Sequence, residues 1–293
     1  MKYSVFTPTY NRRKLLERLY KYLVSENYSD MEWIVIDDGS NDGTSTFMEE
    51  IKGEESFEIK YIFQENAGKY MAFNRAIEEA RGDYFICMDS DDLYIKDAFV
   101  KLDKLVDHLE NNQAGICFLS AFINEEMKII GDKFPDNLSE SSLIDIVYKY
   151  HIYGDKGILH RTNIIKKYRF PIIPGEKFIT ETVLYAQISK HYKYLLVNEV
   201  YELKDYQDNG LSSKYRRLMN CNPQGAYMNY SLIDKFDIKG TTLIKNTIGL
   251  LNVGFSLKMN WMKNLQQCRH KICYLVFTPI GYLYYVLFAR RVL

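Results

Sequence analysis

The first 120 residues alternate short apolar runs with amphipathic stretches, and that rhythm constrains the fold more than any other feature of the chain. Residues 3–6 make a short apolar run. Residues 13–27 then place apolar side chains at 15, 16, 19, 20, 22 and 23, the spacing of one helical face. Trp33-Ile34-Val35-Ile36 reads as a buried strand, 44–52 as a helix with Phe47, Met48 and Ile51 on one side, and 60–63 as a strand. Helix 69–80, strand 84–88, helix 97–110 and strand 114–122 continue the series. Strand and helix in turn, with short joints, predict an α/β fold built on a parallel sheet covered on both faces. The rhythm then weakens. Residues 139–150 read as a helix capped by Ser139, 157–160 as a strand, 180–190 as a helix and 194–204 as one or two strands; from about 211 the pattern is helical to the end.

Sheets of this kind bind ligands at the carboxyl ends of their strands. Three polar clusters sit at those ends: Thr7-Pro8-Thr9-Tyr10-Asn11-Arg12, Asp37-Asp38-Gly39-Ser40-Asn41-Asp42-Gly43-Thr44, and Asp89-Ser90-Asp91-Asp92. They are distant in sequence, yet the topology puts them on one rim. Three carboxylates within four residues repel one another, and a divalent cation relieves that repulsion; hard oxygen ligands suit Mg²⁺ or Mn²⁺, ions that commonly bridge to phosphate oxygens. An isolated Asp-x-Asp reads as a solvated loop capping the next helix, but its place after a buried strand favours the metal. A carboxylate at 37 or 38 suits a donor such as the N3–H of uracil or thymine, or else simple turn chemistry, which is how Asp42 and Gly43 read.

The chain contains neither Gly-x-Gly-x-x-Gly nor Gly-x-x-x-x-Gly-Lys-Ser/Thr, which argues against a dinucleotide dehydrogenase and a P-loop nucleotidase. Lys plus Arg and Asp plus Glu number 38 each, so no global field attracts nucleic acid. Aromatic residues reach 15%, led by 25 tyrosines, a composition suited to sugar stacking, interfaces or an ordinary core. The five cysteines form no Cys-x-x-Cys pair and read as unpaired thiols of a reducing compartment. The opening apolar run is too short for a signal peptide, so the expected compartment is the cytosol.

Taken in order and spacing, Thr7-Pro8-Thr9-Tyr10-Asn11-Arg12, Ile36-Asp37-Asp38-Gly39-Ser40-x-Asp42-Gly43-Thr44, Asn66-x-Gly68-x-x-x-Ala72-x-Asn74 and Asp89-x-Asp91-Asp92 resemble the family-2 glycosyltransferases. The resemblance is close over about 1–125 and looser to about 215, where Asn209-Gly210-Leu211-Ser212 is similar to bacterial capsule and exopolysaccharide members. It implies a GT-A fold: a Rossmann-like, mostly parallel sheet flanked by helices, spanning 1–210, with a nucleotide-sugar half (1–125) and an acceptor-side half (126–210), followed by a helical region at 211–293. It further implies a UDP-sugar or dTDP-sugar donor, Mn²⁺ or Mg²⁺, and inversion at the anomeric carbon. Thr7, Pro8, Thr9, Tyr10 and Arg12 match the first nucleotide loop and Asp38 the base-binding carboxylate. Gly68, Lys69 and Asn74 match the segment near the ribose and phosphates. In Asp89-Ser90-Asp91 the first carboxylate faces the ribose, Asp91 and Asp89 are the metal ligands, and Asp92 is a further candidate. The general base that inversion requires matches Glu181, within Phe178-Ile179-Thr180-Glu181-Thr182-Val183-Leu184; many relatives have Glu-Asp where this chain has Glu181-Thr182. Asp155 is the second candidate base. Arg216 and Arg217 read either as charge for the leaving group or as solvated helix residues, and His160 and His191 as structural or surface residues.

Residues 272–289 are uncharged, preceded by Arg269, His270 and Lys271 and followed by Arg290 and Arg291. Eighteen residues interrupted by Pro279 and Gly281 suit a helix lying in a membrane interface better than a spanning one, or else a helix docked on protein. The expected setting is peripheral, at the inner face of a cell membrane, with a lipid-linked saccharide as acceptor. Homo-oligomerisation stays open. The competing functions are a sugar-nucleotide nucleotidyltransferase and a non-catalytic saccharide-binding protein.

Overall fold

The computed structural model describes residues 1–53, 56–124, 127–207 and 210–289, with backbone alone at 288 and 289. The strands are β1 (Tyr3–Thr9), β2 (Met31–Asp37), β3 (Glu58–Phe63), β4 (Tyr84–Cys87), β5 (Leu93–Tyr94), β6 (Gln113–Phe122), β7 (Glu140–Ser141), β8 (Lys156–Arg161) and β9 (Lys193–Lys204). The helices are α1 (Arg13–Ser25), α2 (Thr44–Glu50), α3 (Lys69–Glu79), α4 (Ala98–Val106), α5 (Leu143–Tyr148), α6 (Thr162–Ile165), α7 (Thr182–Ile188), α8 (Tyr215–Cys221), α9 (Pro223–Ile233), α10 (Gly240–Ser256), α11 (Trp261–Gln267) and α12 (Lys271–Tyr284). A π-helical turn, Tyr285–Ala289, continues α12.

These elements form two compact units. The first comprises Met1–Leu143, Ile152–Arg169 and Ile188–Gln207 and holds the whole sheet, in the order β3-β2-β1-β4-β8-β6-β9-β5, with β7 pairing β9. β3, β2, β1 and β4 run parallel, as the strand–helix rhythm predicts, and β6 runs parallel to β9. The sheet is mixed, however. β8 lies between β4 and β6 and is antiparallel to both. The alternation could not reveal this, because β8 comes from beyond the alternating segment. The helix expected over 139–150 is also shorter. The Leu196 amide donates to the Ser139 carbonyl, and Glu140 and Ser141 pair with Leu195 and Tyr194. Sheet pairing thus captures 139–141, Ser139 caps nothing, and the helix starts at Leu143.

Alternate side chains of each strand enter opposite faces. Tyr3, Val5, Met31, Trp33 and Val35 pack against Leu16, Leu19 and Leu23 of α1, Phe47 and Met48 of α2, and Phe99 and Leu102 of α4. On the other face Phe6 meets Phe73 of α3, with ring centroids 5.5 Å apart, and Phe85 at 5.9 Å. Much of the tyrosine content serves this core. Tyr3 and Tyr28 flank Phe99, and both hydroxyls donate to Asp103.

His160 of β8 is buried, 2.7 Å from the Tyr194 hydroxyl, and burial pushes its pKa down to about 3. The folded protein therefore excludes a proton that the unfolded chain binds below about pH 6.5. Stability contributed by this group is present above pH 6.5 and is lost as pH falls toward 3, at about 1.4 kcal/mol per pH unit. Urea unfolding between pH 7 and 5 should show His160→Gln losing stability with a slope shallower by about one proton than the parent; equal slopes would place the buried charge cost elsewhere.

The second unit comprises Ile144–His151, Phe170–Gln187 and the C-terminal helices. The segment 176–180 is bound to α9: the Glu176 carboxylate accepts from the amides of Gln224 and Gly225, Asn222 accepts from those of Lys177 and Phe178, and Thr180 donates to Asn229 at 2.9 Å. The carboxylate satisfies amides that the first turn of a helix leaves unpaired. The stretch 170–187 thus belongs to one unit with the C-terminal helices. α12 packs on α10, where a β-carbon at Gly281 would lie 2.5 Å from Leu251. Its Thr278 hydroxyl accepts from Trp261. Among the described residues no helix is long and apolar enough to cross a membrane.

Candidate active site

The parallel register brings the carboxyl ends of β1, β2 and β3 level, with Thr9 opposite Asp37 and Asp37 opposite Phe63. The Met88 amide donates to the Phe6 carbonyl, which carries the chain from β4 to the same rim. The loops after β1 and β2 are laced together. Asn11, in the left-handed region at φ 52°, accepts from the Asn41 amide and donates its own to Ser40, while Asp42 accepts from the amide of Arg13 and from Thr44. Asp42 and Gly43 are thus turn and cap residues, as their types suggest.

The rim residues divide by what their side chains touch. Thr7 is buried and its Oγ1 accepts from the Trp33 indole at 3.0 Å, so this hydroxyl is spent inside the sheet. Thr9 and Ser90 are also buried, and among the described residues neither hydroxyl has a partner. Tyr10 is half exposed. The Asp38 carboxylate organises the loop ahead of α3, accepting from Gln64 at 2.7 Å and from the amides of Ala67 and Gly68 at 2.8 Å each. Gly68, at φ 95° and ψ 154°, opens α3 in a conformation that glycine adopts without strain. One turn into that helix Asn74 is buried, and Lys69 at its first position reaches Asp89 at 2.9 Å.

Asp89, Asp91 and Asp92 each offer an oxygen within 4.8 Å of the others, and among the described residues they form a group with the donor set of a hard divalent cation. Mutual repulsion is not left to an ion alone, however. Lys69 pairs with Asp89, Arg12 with Asp91 at 2.6 Å, and Lys204 with Asp92 at 2.6 Å. Burial opposes charge on Asp89, but Lys69, Lys204 and Arg12 outweigh it and hold its carboxyl below the usual range. Burial wins at Asp92, where Glu202 and Asp89 add repulsion and Lys204 compensates only in part, so its pKa is pushed up. Lys204 is shared between Asp92 and Glu202, and Ser120 donates to Glu202 at 2.6 Å. Asp92 therefore belongs to the buried floor of the site. The side chains of Asp89 and Asp91 are more exposed than that of Asp92.

Arg18, Ser120, Glu202, Lys204 and Asp205 carry no motif that would mark them in the sequence. Arg18 donates to the Asp91 carbonyl and to Asp205. The antiparallel pairing of Leu93 with Leu203 sets Asp92 beside Lys204, 112 positions away. Ser120 meets Glu202 through the separate pairing of β6 with β9, and Arg18 reaches in from α1, so only the assembled fold reveals the group.

Asp155 also lies in the first unit, where its carboxylate accepts from the Tyr206 hydroxyl at 2.5 Å. Glu181 lies in the second unit at the start of α7, its carbonyl accepting from the amides of Leu184 and Tyr185. Arg216 and Arg217 are exposed on α8, and His191 is exposed in the turn that follows α7. Asn209, Arg290 and Arg291 lie outside the described residues.

The model of glycosyl transferase family 2 matches residues 4–156. TuaG of Bacillus subtilis (strain 168), whose name places it provisionally in teichuronic acid biosynthesis, is 32% identical over 152 residues, covering 52% of this chain and 58% of its own. A Campylobacter jejuni enzyme named GalNAc(5)-diNAcBac-PP-undecaprenol beta-1,3-glucosyltransferase is 32% identical over 103 residues, 34% of this chain and 33% of that one. This chain thus spans just over half the length of TuaG and a third of the Campylobacter enzyme. Among solved structures, S. aureus TarS 1-349 in complex with UDP-GlcNAc matches with a TM-score of 0.60 at 20% identity, covering 91% of this chain and 78% of that chain.

Proposed function

This chain belongs to glycosyl transferase family 2 and is a glycosyltransferase of GT-A fold, and from that premise we propose that it moves a sugar, with inversion, from a UDP-sugar to a hydroxyl of a saccharide acceptor. A dTDP-sugar is the alternative donor, since uracil and thymine present the same N3–H. One observation carries the reading: Arg12, Asp38, Lys69, Asp89 and Asp91, from four separate stretches of chain, meet on the rim where the parallel strands end. Such a rim is where open α/β sheets take their ligands, and the UDP-GlcNAc held by TarS is in line with it.

In this reading the Asn11–Ser40 lacing and the Asp38 loop shape the nucleotide cleft, and Asp38, Tyr10 and Asn74 border it. Lys69 and Arg12 supply positive charge to the diphosphate. Asp91 and Asp89 hold Mn²⁺ or Mg²⁺, which when bound acts as a Lewis acid toward charge developing on the leaving nucleoside diphosphate. Glu181 takes the proton of the acceptor hydroxyl. Asp155, whose Oδ2 accepts from the Tyr206 hydroxyl, is the second candidate base. A panel of nucleotide-sugars with Mn²⁺, read by release of nucleoside diphosphate, tests the donor. Release of pyrophosphate would instead mean nucleotidyl transfer, and no release with any sugar nucleotide would favour a binding protein.

The acceptor is proposed to be lipid-linked, in the assembly of a bacterial capsule or exopolysaccharide, with the enzyme peripheral at the inner face of the membrane. The support is α12. Tyr274 and Gly281 are buried toward α10 and α11, whereas Ile272, Val276, Ile280, Leu283 and Leu287 form an exposed apolar stripe at helical spacing. Arg269 and Lys271 stand at its start, suited to anionic headgroups. The helix is thus docked on protein by one face and open on the other. Removing it would uncover Leu250, Leu251 and Cys268, so point substitution is the cleaner test. Full-length protein should float with anionic vesicles, and joint Val276→Asn and Ile280→Asn should weaken partitioning about tenfold or more. A parent chain that ignores vesicles would remove the membrane from the proposal.

A further inference from the structure

The cations around the aspartate turn are not equivalent. Lys204 is locked between two buried carboxylates, Asp92 and Glu202. Arg12 is held differently. It stands on the loop between β1 and α1 with its side chain 27% exposed, and its Nη1 lies 2.6 Å from Oδ2 of Asp91, itself 15% exposed. Lys69 and Asp89 pair in a similarly open setting, with 23% and 29% exposed. Asp91 is therefore both the fitting metal ligand and one half of an ion pair, and Arg12 and a divalent cation cannot both take full possession of it.

We propose that Arg12 is an exchangeable counter-ion: it competes with the divalent cation for Asp91, and it turns to the diphosphate of the donor when the two ligands bind together. The inference rests on reading the rim as a metal-dependent nucleotide-sugar site, and it adds the order of charge exchange within that site. A cation arriving alone must displace a guanidinium whose replacement partner is solvent. A nucleoside diphosphate supplies that partner, because a planar fork of donors matches phosphate oxygens as well as it matches a carboxylate. Each ligand then strengthens the other, and linkage requires the same factor whichever is titrated first. Lys69 can make the same exchange at Asp89, whereas Lys204, buried and shared, stays in place and keeps the turn in shape.

The consequence is a pair of effects with opposite signs in one variant. Removing Arg12 leaves Asp91 uncompensated, which favours a cation, and takes a charged donor from the diphosphate, which disfavours the nucleotide. The test is Mn²⁺ binding by electron paramagnetic resonance of the free ion, with and without UDP, and UDP binding by calorimetry at saturating Mn²⁺. In the parent chain UDP should tighten Mn²⁺ at least about tenfold, since charge-assisted hydrogen bonds carry effects of that size. Arg12→Gln should bind Mn²⁺ alone about three- to tenfold more tightly than the parent, bind UDP about tenfold more weakly, and show correspondingly smaller coupling. Arg12→Lys, a point charge without the fork, should fall between the two in both measurements, and it serves as the test should Arg12→Gln not fold. Mn²⁺ binding to these variants no tighter than to the parent overturns the counter-ion role while leaving the metal site standing. A parent chain that binds no Mn²⁺ even with UDP overturns the metal reading and this inference with it.

Discussion

Asp91→Asn is expected to lower sugar transfer by about a thousandfold or more while the protein stays folded. The residue lies on the turn after β4, outside the apolar core, and its partly buried side chain is held by Arg12, so the substitution removes no apolar packing. The amide has nearly the same shape but no charge, and it is a poor ligand for a hard cation. It also leaves the Arg12 guanidinium without its carboxylate partner, which adds positive charge to the cleft without restoring the metal. Loss of several kcal/mol of stabilisation at the leaving diphosphate corresponds to about three orders of magnitude in rate. The measurement is turnover of the donor found by the panel, beside a thermal melt that should shift by only a few degrees. Activity within tenfold of the parent, or full parent activity in the presence of a chelator, would take Asp91 and the metal out of the mechanism.

Glu181→Gln is expected to lower transfer by about 10²–10⁴-fold, the usual cost of losing a general base. The substitution keeps the size and removes the negative charge together with the ability to accept the proton. The backbone contacts that start α7 are made by the Glu181 carbonyl, so they survive the change. Nucleotide affinity should stay within about twofold, because the residues proposed to bind the donor lie in the first unit and Glu181 in the second. A helix-terminal charge, the plain structural role of a glutamate at this position, predicts instead a loss of at most about 1 kcal/mol in stability with little change in rate. The two roles therefore separate on rate against melting temperature. Normal turnover of Glu181→Gln together with a large loss in Asp155→Asn would move the base to Asp155.

The first half of the molecule was legible because its signals are local. An apolar run such as Trp33-Ile34-Val35-Ile36 says that both faces of a strand are buried, and its abrupt end in Asp37-Asp38-Gly39-Ser40 says where the strand meets solvent. Repeated three times in a strand–helix alternation, that pattern places Arg12, Asp38, Asp89 and Asp91 on one rim without any knowledge of contacts. Where pattern and structure part, a distant partner is the cause. Ser139 looked like a helix cap until β9 paired with the residues beside it. Thr7, grouped with the nucleotide loop by its motif, has its hydroxyl turned to Trp33 within the sheet. The motif records a position in the loop, and the direction of the side chain depends on the neighbouring strand.

What the sequence by itself determined is the α/β class, the shared rim, the family, and the uncharged run at 272–289, since each follows from the spacing and type of residues along a short stretch. What only the tertiary structure decided is which charges meet. The insertion of β8 between β4 and β6, the setting of Lys204 beside Asp92, and the pairing of Arg12 with Asp91 across 79 positions leave no periodic trace in the chain. The same holds for the union of 170–187 with the C-terminal helices through Glu176, Asn222 and Thr180. The physical reason is that periodicity reports only whether a side chain is buried, through the solvent it avoids. The partner of a buried charge is chosen through space, by whichever opposite charge the finished fold brings within hydrogen-bond distance.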